Sequence, residues 1–245
     1  QSIQKIRNFN PQSLTFSDIA TNKFGGSFLY LNDANGRVYL QLPKMKTAFK
    51  VSVFIPKDKA GKPTGDDPRY SLSLSFYKMD ENPKVKKCFE VLSATDEKLL
   101  VAGMEHHEDW FPGQYDQYAD DDMKMRIAME TLYNPIIKVD KKNKGKYAPT
   151  LRVKLPRYDG VFKMEMYDKS DRKTPIVFGT NEEEGQVDIV KYIGKGTSIT
   201  PIVSMPMLNF VKGYGTGFTL VQAVVEPVKS FLGSCVIDDS DEEDD

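Results

Sequence analysis

The stretch YSLSLSFY, residues 70–77, alternates large apolar and small polar side chains without interruption. Successive side chains of a β-strand point to opposite faces, so Leu72, Leu74 and Phe76 are predicted to face a core. The predicted outward set is three hydroxyls and one ring: Ser71, Ser73, Ser75 and Tyr77. A strand with one apolar and one polar face predicts a sheet that has a core on one side and solvent on the other.

The same alternation recurs before and after this stretch. Residues 27–42, SFLYLNDANGRVYLQL, predict two strands around Asn35-Gly36, since both residues tolerate the positive φ of a hairpin turn. In FKVSVFI, residues 49–55, Phe49, Val51, Val53 and Ile55 are predicted inward and Lys50, Ser52 and Phe54 outward. Further strands are predicted at 150–155, 161–168 and 174–179, and a closing pair at 200–211 and 217–226, joined by a flexible glycine-rich turn at 212–217.

Helical spacing interrupts the strands midway. Val85, Cys88, Phe89 and Leu92 recur at i, i+3, i+4 and i+7, and Met125, Ala128, Met129 and Leu132 repeat the pattern. Between these helices, residues 105–122 carry seven carboxylates and no Lys or Arg, and are predicted to be a solvent-exposed loop.

These elements predict a mainly β fold, an OB-fold-like Greek-key barrel with additional strands and one or two inserted helices. We expect a single elaborated domain over residues 1–237, with a helical and acidic insertion at about 81–134. Residues 238–245 are expected to be a disordered acidic tail.

The charge of the chain is unevenly distributed. The sequence has 34 Lys+Arg and 35 Asp+Glu, and removing the seven carboxylates of 238–245 leaves 34 against 28, a net charge of +6. Removing the seven of 105–122 as well leaves 34 against 21, or +13. A basic body with two acidic segments suggests an anionic partner and a built-in competitor for it.

Several classes of protein are disfavoured. There is no apolar run of about 18 residues and no apolar signal core at the start, so neither a membrane span nor a signal peptide is predicted. The first residue is Gln1, so we expect an initiator Met, and further residues, to precede it. Cys88 and Cys235 match no disulfide or metal spacing, which fits a reducing, intracellular setting.

Catalysis is not predicted either. The adjacent His106 and His107 cannot easily face one ion, and no nucleophile–base pair or nucleotide-binding loop is recognisable. We therefore expect no metal, no cofactor and no enzymatic activity.

The predicted outward faces of the strands are rich in Lys, Arg, Ser and aromatic residues, with Glu165 the one carboxylate. A single polynucleotide strand needs this mixture, because cations neutralise phosphates, small hydroxyls allow close approach and aromatic faces stack on bases. An ordinary solvated surface is the competing interpretation for each residue. The candidate contacts are Arg37, Tyr39, Lys50, Phe54, Tyr77, Lys138, Lys141, Lys142, Lys144, Arg152, Lys154, Arg157 and Lys163.

Two segments resemble a known family. NPIIKVDKKNKGKYAPTLRVKLP (134–156) and ITPIVSMPMLNFVKGYGTGFTLVQAVVEPVK (199–229) resemble parts of the single-stranded DNA-binding proteins of large nucleocytoplasmic DNA viruses of eukaryotes. The basic β-barrel with an acidic C-terminus also resembles the corresponding proteins of T7-type phages. The similarity covers roughly the last half of the chain.

This resemblance implies an OB-fold core, binding of single-stranded DNA without strict sequence preference, and a role in viral DNA replication and recombination. It also implies a tail that competes with DNA and docks a replication polymerase or helicase, and a location in a viral factory or the nucleus of the host cell. The tail carboxylates are Asp238, Asp239, Asp241, Glu242, Glu243, Asp244 and Asp245. Whether the chain forms a homodimer stays open.

Two other functions stay open from the sequence. The first is a non-enzymatic structural or scaffold protein of a virion or complex, whose β-domain binds protein rather than DNA. The second is an enzyme acting on nucleic acid, for which Asp120, Asp121 and Asp122 are the only candidate carboxylates. Consecutive carboxylates are poorly placed to share one metal ion.

Overall fold

The computed structural model describes residues 2–140, 142, 145–179 and 185–228. Its helices are α1 (Pro83–Glu105), α2 (His107–Trp110), α3 (Asp122–Leu132) and α4 (Ile189–Tyr192). Its strands are β1 (Gln4–Lys5), β2 (Thr15–Phe16), β3 (Ala20–Thr21), β4 (Ser27–Asp33), β5 (Gly36–Gln41), β6 (Met45–Thr47), β7 (Ser52–Phe54), β8 (Arg69–Ser75), β9 (Ile137–Lys138), β10 (Thr150–Leu155), β11 (Arg157–Tyr158), β12 (Val161–Phe162), β13 (Glu165–Asp168), β14 (Phe178–Gly179), β15 (Val187–Asp188), β16 (Ser198–Met205), β17 (Met207–Phe210), β18 (Tyr214–Thr216) and β19 (Phe218–Glu226).

Five strands close into a barrel. In the order β6–β8–β10–β19–β16 each strand pairs with the next, and β16 returns to β6. The β10–β19 pair is parallel and the other four pairs are antiparallel. Numbered along the chain, the strands follow the order 1-2-3-5-4, so the predicted OB-fold-like Greek-key barrel is confirmed, and it has five strands.

Alternation along the barrel strands places the core as predicted. Leu72 and Leu74 on β8 are 1% exposed, and Phe76 after it is equally buried. They meet Val153 of β10 and Phe218 of β19 inside the barrel. The strand ends at Ser75, so Tyr77 lies beyond it and not on its outer face.

The hairpin at 27–42 is also confirmed. β4 and β5 pair with Asp33 opposite Gly36, so the turn residues are Ala34 and Asn35, one position earlier than predicted. Gly36 follows with φ +91°, a conformation that costs glycine little.

The predicted strand at 49–55 is wrong in length and in facing. Only Ser52–Phe54 is a strand, paired with the start of β8 beyond the closed part of the barrel. Of the residues predicted inward, Val51 is buried, whereas Phe49, Val53 and Ile55 are 60%, 40% and 49% exposed. The physical reason is that β7 has one partner strand among the described residues and no closed barrel interior beneath it.

Two other predicted strands are shorter than expected. Residues 161–168 form β12 and β13 with a break between them, and 174–179 is a strand only at Phe178–Gly179.

Both helices of the insertion are confirmed, since α1 and α3 cover the periodic residues. α1 begins after Asn82, whose side chain accepts from Lys84 N and Val85 N. No helix in the described parts of the chain is long and apolar enough to cross a membrane.

The acidic segment 105–122 is not simply an exposed loop. It contains α2, and its Trp110 and Phe111 are buried at 8% and 7% exposure. Both rings contact Tyr214, which is fully buried. The segment is therefore anchored by aromatic burial, while six of its seven carboxylates are exposed.

The glycine-rich turn at 212–217 is likewise packed rather than flexible. It contains β18, which pairs with β17 and places the Tyr214 ring beneath the insertion. At Gly213 an added Cβ would lie 2.1 Å from the Leu132 carbonyl oxygen, and at Gly215 it would lie 2.7 Å from that of Asn134. Glycine here permits close backbone approach.

A half-buried carboxylate fixes the insertion to the chain that leaves it. Asp96 of α1 accepts hydrogen bonds from Tyr133 Oη (2.6 Å), Ile136 N (2.6 Å) and Ile137 N (3.2 Å). Burial raises the pKa of Asp96, and this effect outweighs the donors, which lower it. The carboxylate holds α1 against the start of β9, which pairs with β10 of the barrel.

Candidate nucleic-acid interface

Strand register aligns six outward residues in one line around the outside of the barrel and its extensions. Each is the direct cross-strand neighbour of the next, from β5 through β16, β19, β10 and β8 to β7. These residues, called here the transverse row, are Tyr39, Ser204, Thr219, Lys154, Ser71 and Ser52. With neighbouring strands about 4.8 Å apart, five steps span roughly 24 Å.

Three cations gather at the middle of the transverse row. Arg152 lies two residues before Lys154 on the same face of β10, and its Nε donates to Ser71 Oγ at 3.1 Å. The pKa of Lys154 is lowered, first because neighbouring strands shield part of its side chain from water and then because Arg152 and Arg69 are close. No carboxylate of the described residues lies within 4.0 Å of the charged groups of these three cations.

A shallow depression of about 460 Å³ opens beside these cations. Its wall combines the main chain and side chains of 49–53 with Ser71, Ser73 and Arg152. Lys50 lies at its rim and is exposed. Ser71, predicted outward, is only 4% exposed, and its hydroxyl accepts from Arg152. The depression thus offers the hydroxyls of Ser52 and Ser73 beside Lys50 and Arg152, a surface that a phosphate backbone can approach closely.

Aromatic rings flank the cations. Phe54 of β7 is 51% exposed, and the Arg69 guanidinium lies 6.0 Å from the centre of its ring. Tyr39 is half-buried at the far end of the transverse row. Arg37, two residues earlier on β5, is exposed and lies 5.9 Å from the ring centre of Tyr30.

The remaining candidates lie elsewhere. Tyr77 is 68% exposed beyond the C-terminal end of β8, whereas Phe54 is beside its N-terminal end. Lys138 of β9 is opposite Thr150. Its charge partly offsets the rise that burial causes in the pKa of Asp96. Lys142 is exposed, and its main-chain N donates to Asp140 Oδ1 at 2.9 Å. Lys141, Lys144 and the seven tail carboxylates lie outside the described residues.

Arg157 and Lys163 also lie off the transverse row. The Arg157 side chain is 11% exposed, bonds Asp67 at 2.9 Å and lies over the ring of Tyr70 at 5.8 Å. Its charge is already compensated, so its position fits a structural role on the β11–β12 hairpin. Lys163 follows that hairpin and is exposed.

Sequence reasoning missed three residues of this surface: Arg69, Ser204 and Thr219. Arg69 has the same parity as Ser71, so extending the alternation of 70–77 by one residue would have placed it on the outer face. Ser204 and Thr219 lie in predicted strands, but their position beside Lys154 depends on pairing that no local pattern reveals.

The described residues offer no metal site, since no group of three or more His, Cys, Asp or Glu among them could hold an ion. His106 stacks on Trp110, with ring centres 5.3 Å apart, and His107 Nδ1 lies 2.9 Å from the Met104 carbonyl. Asp121 caps α3 by accepting from Lys124 N at 3.0 Å.

No protein-family model matches the chain. A search of curated proteins likewise finds no match. Among solved structures, the chain is similar to gp2.5, a single-stranded DNA-binding protein of bacteriophage T7, with a TM-score of 0.41 and 14% identity over 85% of this chain and 96% of that one. It is similar to the single-stranded DNA-binding protein of bacteriophage Enc34, with a TM-score of 0.40 and 14% identity over 94% and 99%. For the same Enc34 protein in complex with single-stranded DNA, the TM-score is 0.39 and the identity 13%, over 88% of this chain and 98% of that one.

Proposed function

We propose that the protein binds single-stranded DNA without strict sequence preference. Lys154 of the transverse row, together with the neighbouring Arg152 and Arg69, neutralises phosphates, and the rings at the margins of the row stack on bases. The proposal is for binding without catalysis. DNA is the polynucleotide that the sequence resemblance implies, and it is also the ligand named for the phage proteins of similar structure.

The observation that carries this proposal is the excess of cations on one continuous surface. Arg152 and Arg69 lie within electrostatic reach of Lys154, and their repulsion adds to the effect of burial in lowering the pKa of Lys154. Like charges held together without a carboxylate partner are unfavourable in the free protein. A bound phosphate chain would remove this repulsion and release counterions from the DNA.

The finer role that we propose is support of viral DNA replication and recombination. This is the role implied by the resemblance to the single-stranded DNA-binding proteins of large nucleocytoplasmic DNA viruses. The tail at 238–245 competes with DNA for the transverse row and docks a replication polymerase or helicase. An anionic segment that is tethered to its own binding surface is present there at high effective concentration, which makes such competition physically reasonable.

Binding of labelled oligonucleotides across a salt series tests the proposal. We expect tighter binding to single-stranded than to duplex DNA at every salt concentration, because duplex bases have no free face for stacking. The logarithm of the binding constant should fall linearly with the logarithm of salt. Single-stranded RNA of the same sequence serves as the control for sugar preference.

Equal affinity for single and double strands at moderate salt would contradict base stacking. Absence of binding to every nucleic acid would favour the scaffold function, in which the β-domain binds protein.

A further inference from the structure

The β3–β4 hairpin displays aromatic side chains that the fold does not use. Phe24, at the tip of the hairpin, is 85% exposed, and Tyr30 on β4 is 40% exposed. Each has a cation beside it, with Lys23 Nζ 5.0 Å from the ring centre of Phe24 and the Arg37 guanidinium 5.9 Å from that of Tyr30. No carboxylate of the described residues forms an ion pair with either cation.

Hydrogen bonds hold the tip in one conformation. The Asn22 side-chain oxygen accepts from Phe24 N at 2.9 Å and from Gly26 N at 3.0 Å. The Asn22 main chain closes the same turn, accepting from Gly25 N and donating to Gly26 O, both at 2.9 Å. Phe24 is therefore presented on an ordered turn, although burial of a phenyl ring is ordinarily favourable.

The hairpin continues the face that carries the transverse row. Leu29 and Leu31 of β4 are fully buried, so Phe28, Tyr30 and Asn32 point outward. Asn32 is the cross-strand neighbour of Arg37, and Arg37 shares a face with Tyr39 on β5. Phe28 supports Tyr30 edge-to-face, with ring centres 5.3 Å apart.

We propose that this hairpin is a second base-stacking subsite, in which Phe24 and Tyr30 stack on bases of the same strand after it leaves Tyr39. This inference rests on the proposed function. Lys23 and Arg37 contact the intervening phosphates, so the ligand class is a single-stranded polynucleotide long enough to reach beyond the barrel. A cation beside an aromatic ring is the combination that unpaired nucleic acid requires.

Two oligothymidylates test the subsite, one of about 6 and one of about 16 nucleotides, within the range of site sizes for OB folds. Phe24→Leu and Tyr30→Leu keep apolar bulk but remove the stacking face. We expect each to weaken binding of the longer oligonucleotide about five- to tenfold and to leave the shorter one unchanged. Phe24→Tyr, which retains a ring, should bind both like the wild type.

A spectroscopic variant reports contact directly. The chain has one tryptophan, and it is 8% exposed at position 110, so its emission provides a nearly constant background. In Phe24→Trp the new, exposed indole should be quenched by the longer oligonucleotide and not by the shorter one, because quenching requires a base against the ring.

The outcomes separate the two proposals. If the wild type binds neither oligonucleotide, the proposed function fails and the subsite fails with it. If the wild type binds both but the leucine variants match it on the longer one, with no quenching at position 24, the subsite alone is overturned. Equal weakening for both lengths would also overturn a separate subsite, since the hairpin would then belong to the primary surface.

Discussion

The outer surface of the barrel and the helical insertion both carry many charges, but they arrange them differently. In the insertion, Arg126 bonds Glu97 at 2.7 and 2.9 Å and Glu130 at 3.0 Å, and Lys124 bonds Asp121 at 2.9 Å. Lys86, Lys87 and Lys98 are also paired, which leaves Lys84 as the exception among the cations of α1 and α3. At the middle of the transverse row, Lys154 instead has two other cations, Arg152 and Arg69, as its charged neighbours.

This difference shows that surface charge has separate uses in one chain. Exposed ion pairs contribute only about 0–1 kcal/mol each, so those of the insertion do little to stabilise it. The insertion is anchored by half-buried Asp96 with its three donors, and by buried Tyr214 in contact with Trp110 and Phe111. The transverse row keeps its charge uncompensated, as a polyanion-binding surface requires.

The largest expected effect concerns the junction between the two regions. Gly213→Ala should destabilise the protein by more than about 3 kcal/mol, because the new Cβ meets the Leu132 carbonyl oxygen and φ is +113°. Gly61→Ala is the matched control, since Gly61 also has positive φ (+81°) but no atom within 4 Å, and about 1–2 kcal/mol of strain is expected. Thermal unfolding measures both.

Similar small losses for the two glycine variants would contradict the packed junction. They would return residues 212–217 to the flexible turn that their composition suggests.

The next effect separates unpaired from paired cations. Arg152→Ala and Lys154→Ala should each weaken single-stranded DNA binding about tenfold at low salt and reduce the salt slope by about 0.7, the value for one phosphate contact. Arg126→Ala removes a cation of the insertion and should change neither quantity. Binding titrations at several salt concentrations provide the comparison, and an equal change in slope for Arg126→Ala would erase the distinction between the two surfaces.

A smaller effect is expected from the acidic tail, whose carboxylates would compete for the transverse row. Deleting 238–245 should tighten DNA binding a few-fold at low salt, and the gain should shrink as salt rises because screening acts over about 10 Å at 0.1 M. Glu130→Gln removes a carboxylate of the insertion that already pairs with Arg126 and should have no such effect. Unchanged affinity of the truncated protein at every salt concentration would leave the tail a docking or solubilising segment.

The parts of the fold that follow from local alternation were predictable, and those that depend on strand pairing were not. The burial of Leu72 and Leu74 is visible in residues 70–77. The 4% exposure of Ser71, predicted outward, is not, because it involves Arg152 of the neighbouring strand. The pairing of Ser71 with Lys154 could not be predicted, because their strands are separated in the sequence by the whole insertion and their register is set by the folded barrel.

The wrong predictions have physical causes too. Phe49, Val53 and Ile55 were assigned inward because alternation assumes a core beneath the strand, and β7 extends past the barrel. The glycines of 212–217 suggested mobility, whereas the backbone of Gly213 needs the space that a side chain would fill. A glycine pattern alone does not separate these two uses.

The smallest effect is a pH dependence carried by Lys154. Its pKa lies below the ordinary value of 10.5, so it begins to lose its charge at a lower pH than other lysines. Bound phosphate favours the protonated amine, and DNA binding should therefore take up protons once the pH approaches this lowered pKa. As the pH rises toward 10.5, affinity is expected to fall slightly more for the wild type than for Lys154→Arg, because arginine stays charged over this range. Arg126 of the insertion, held by two carboxylates, cannot produce such a dependence. Parallel pH profiles for wild type and Lys154→Arg would show that Lys154 keeps its charge throughout, and that the crowding of cations on the transverse row is relieved by the surrounding water.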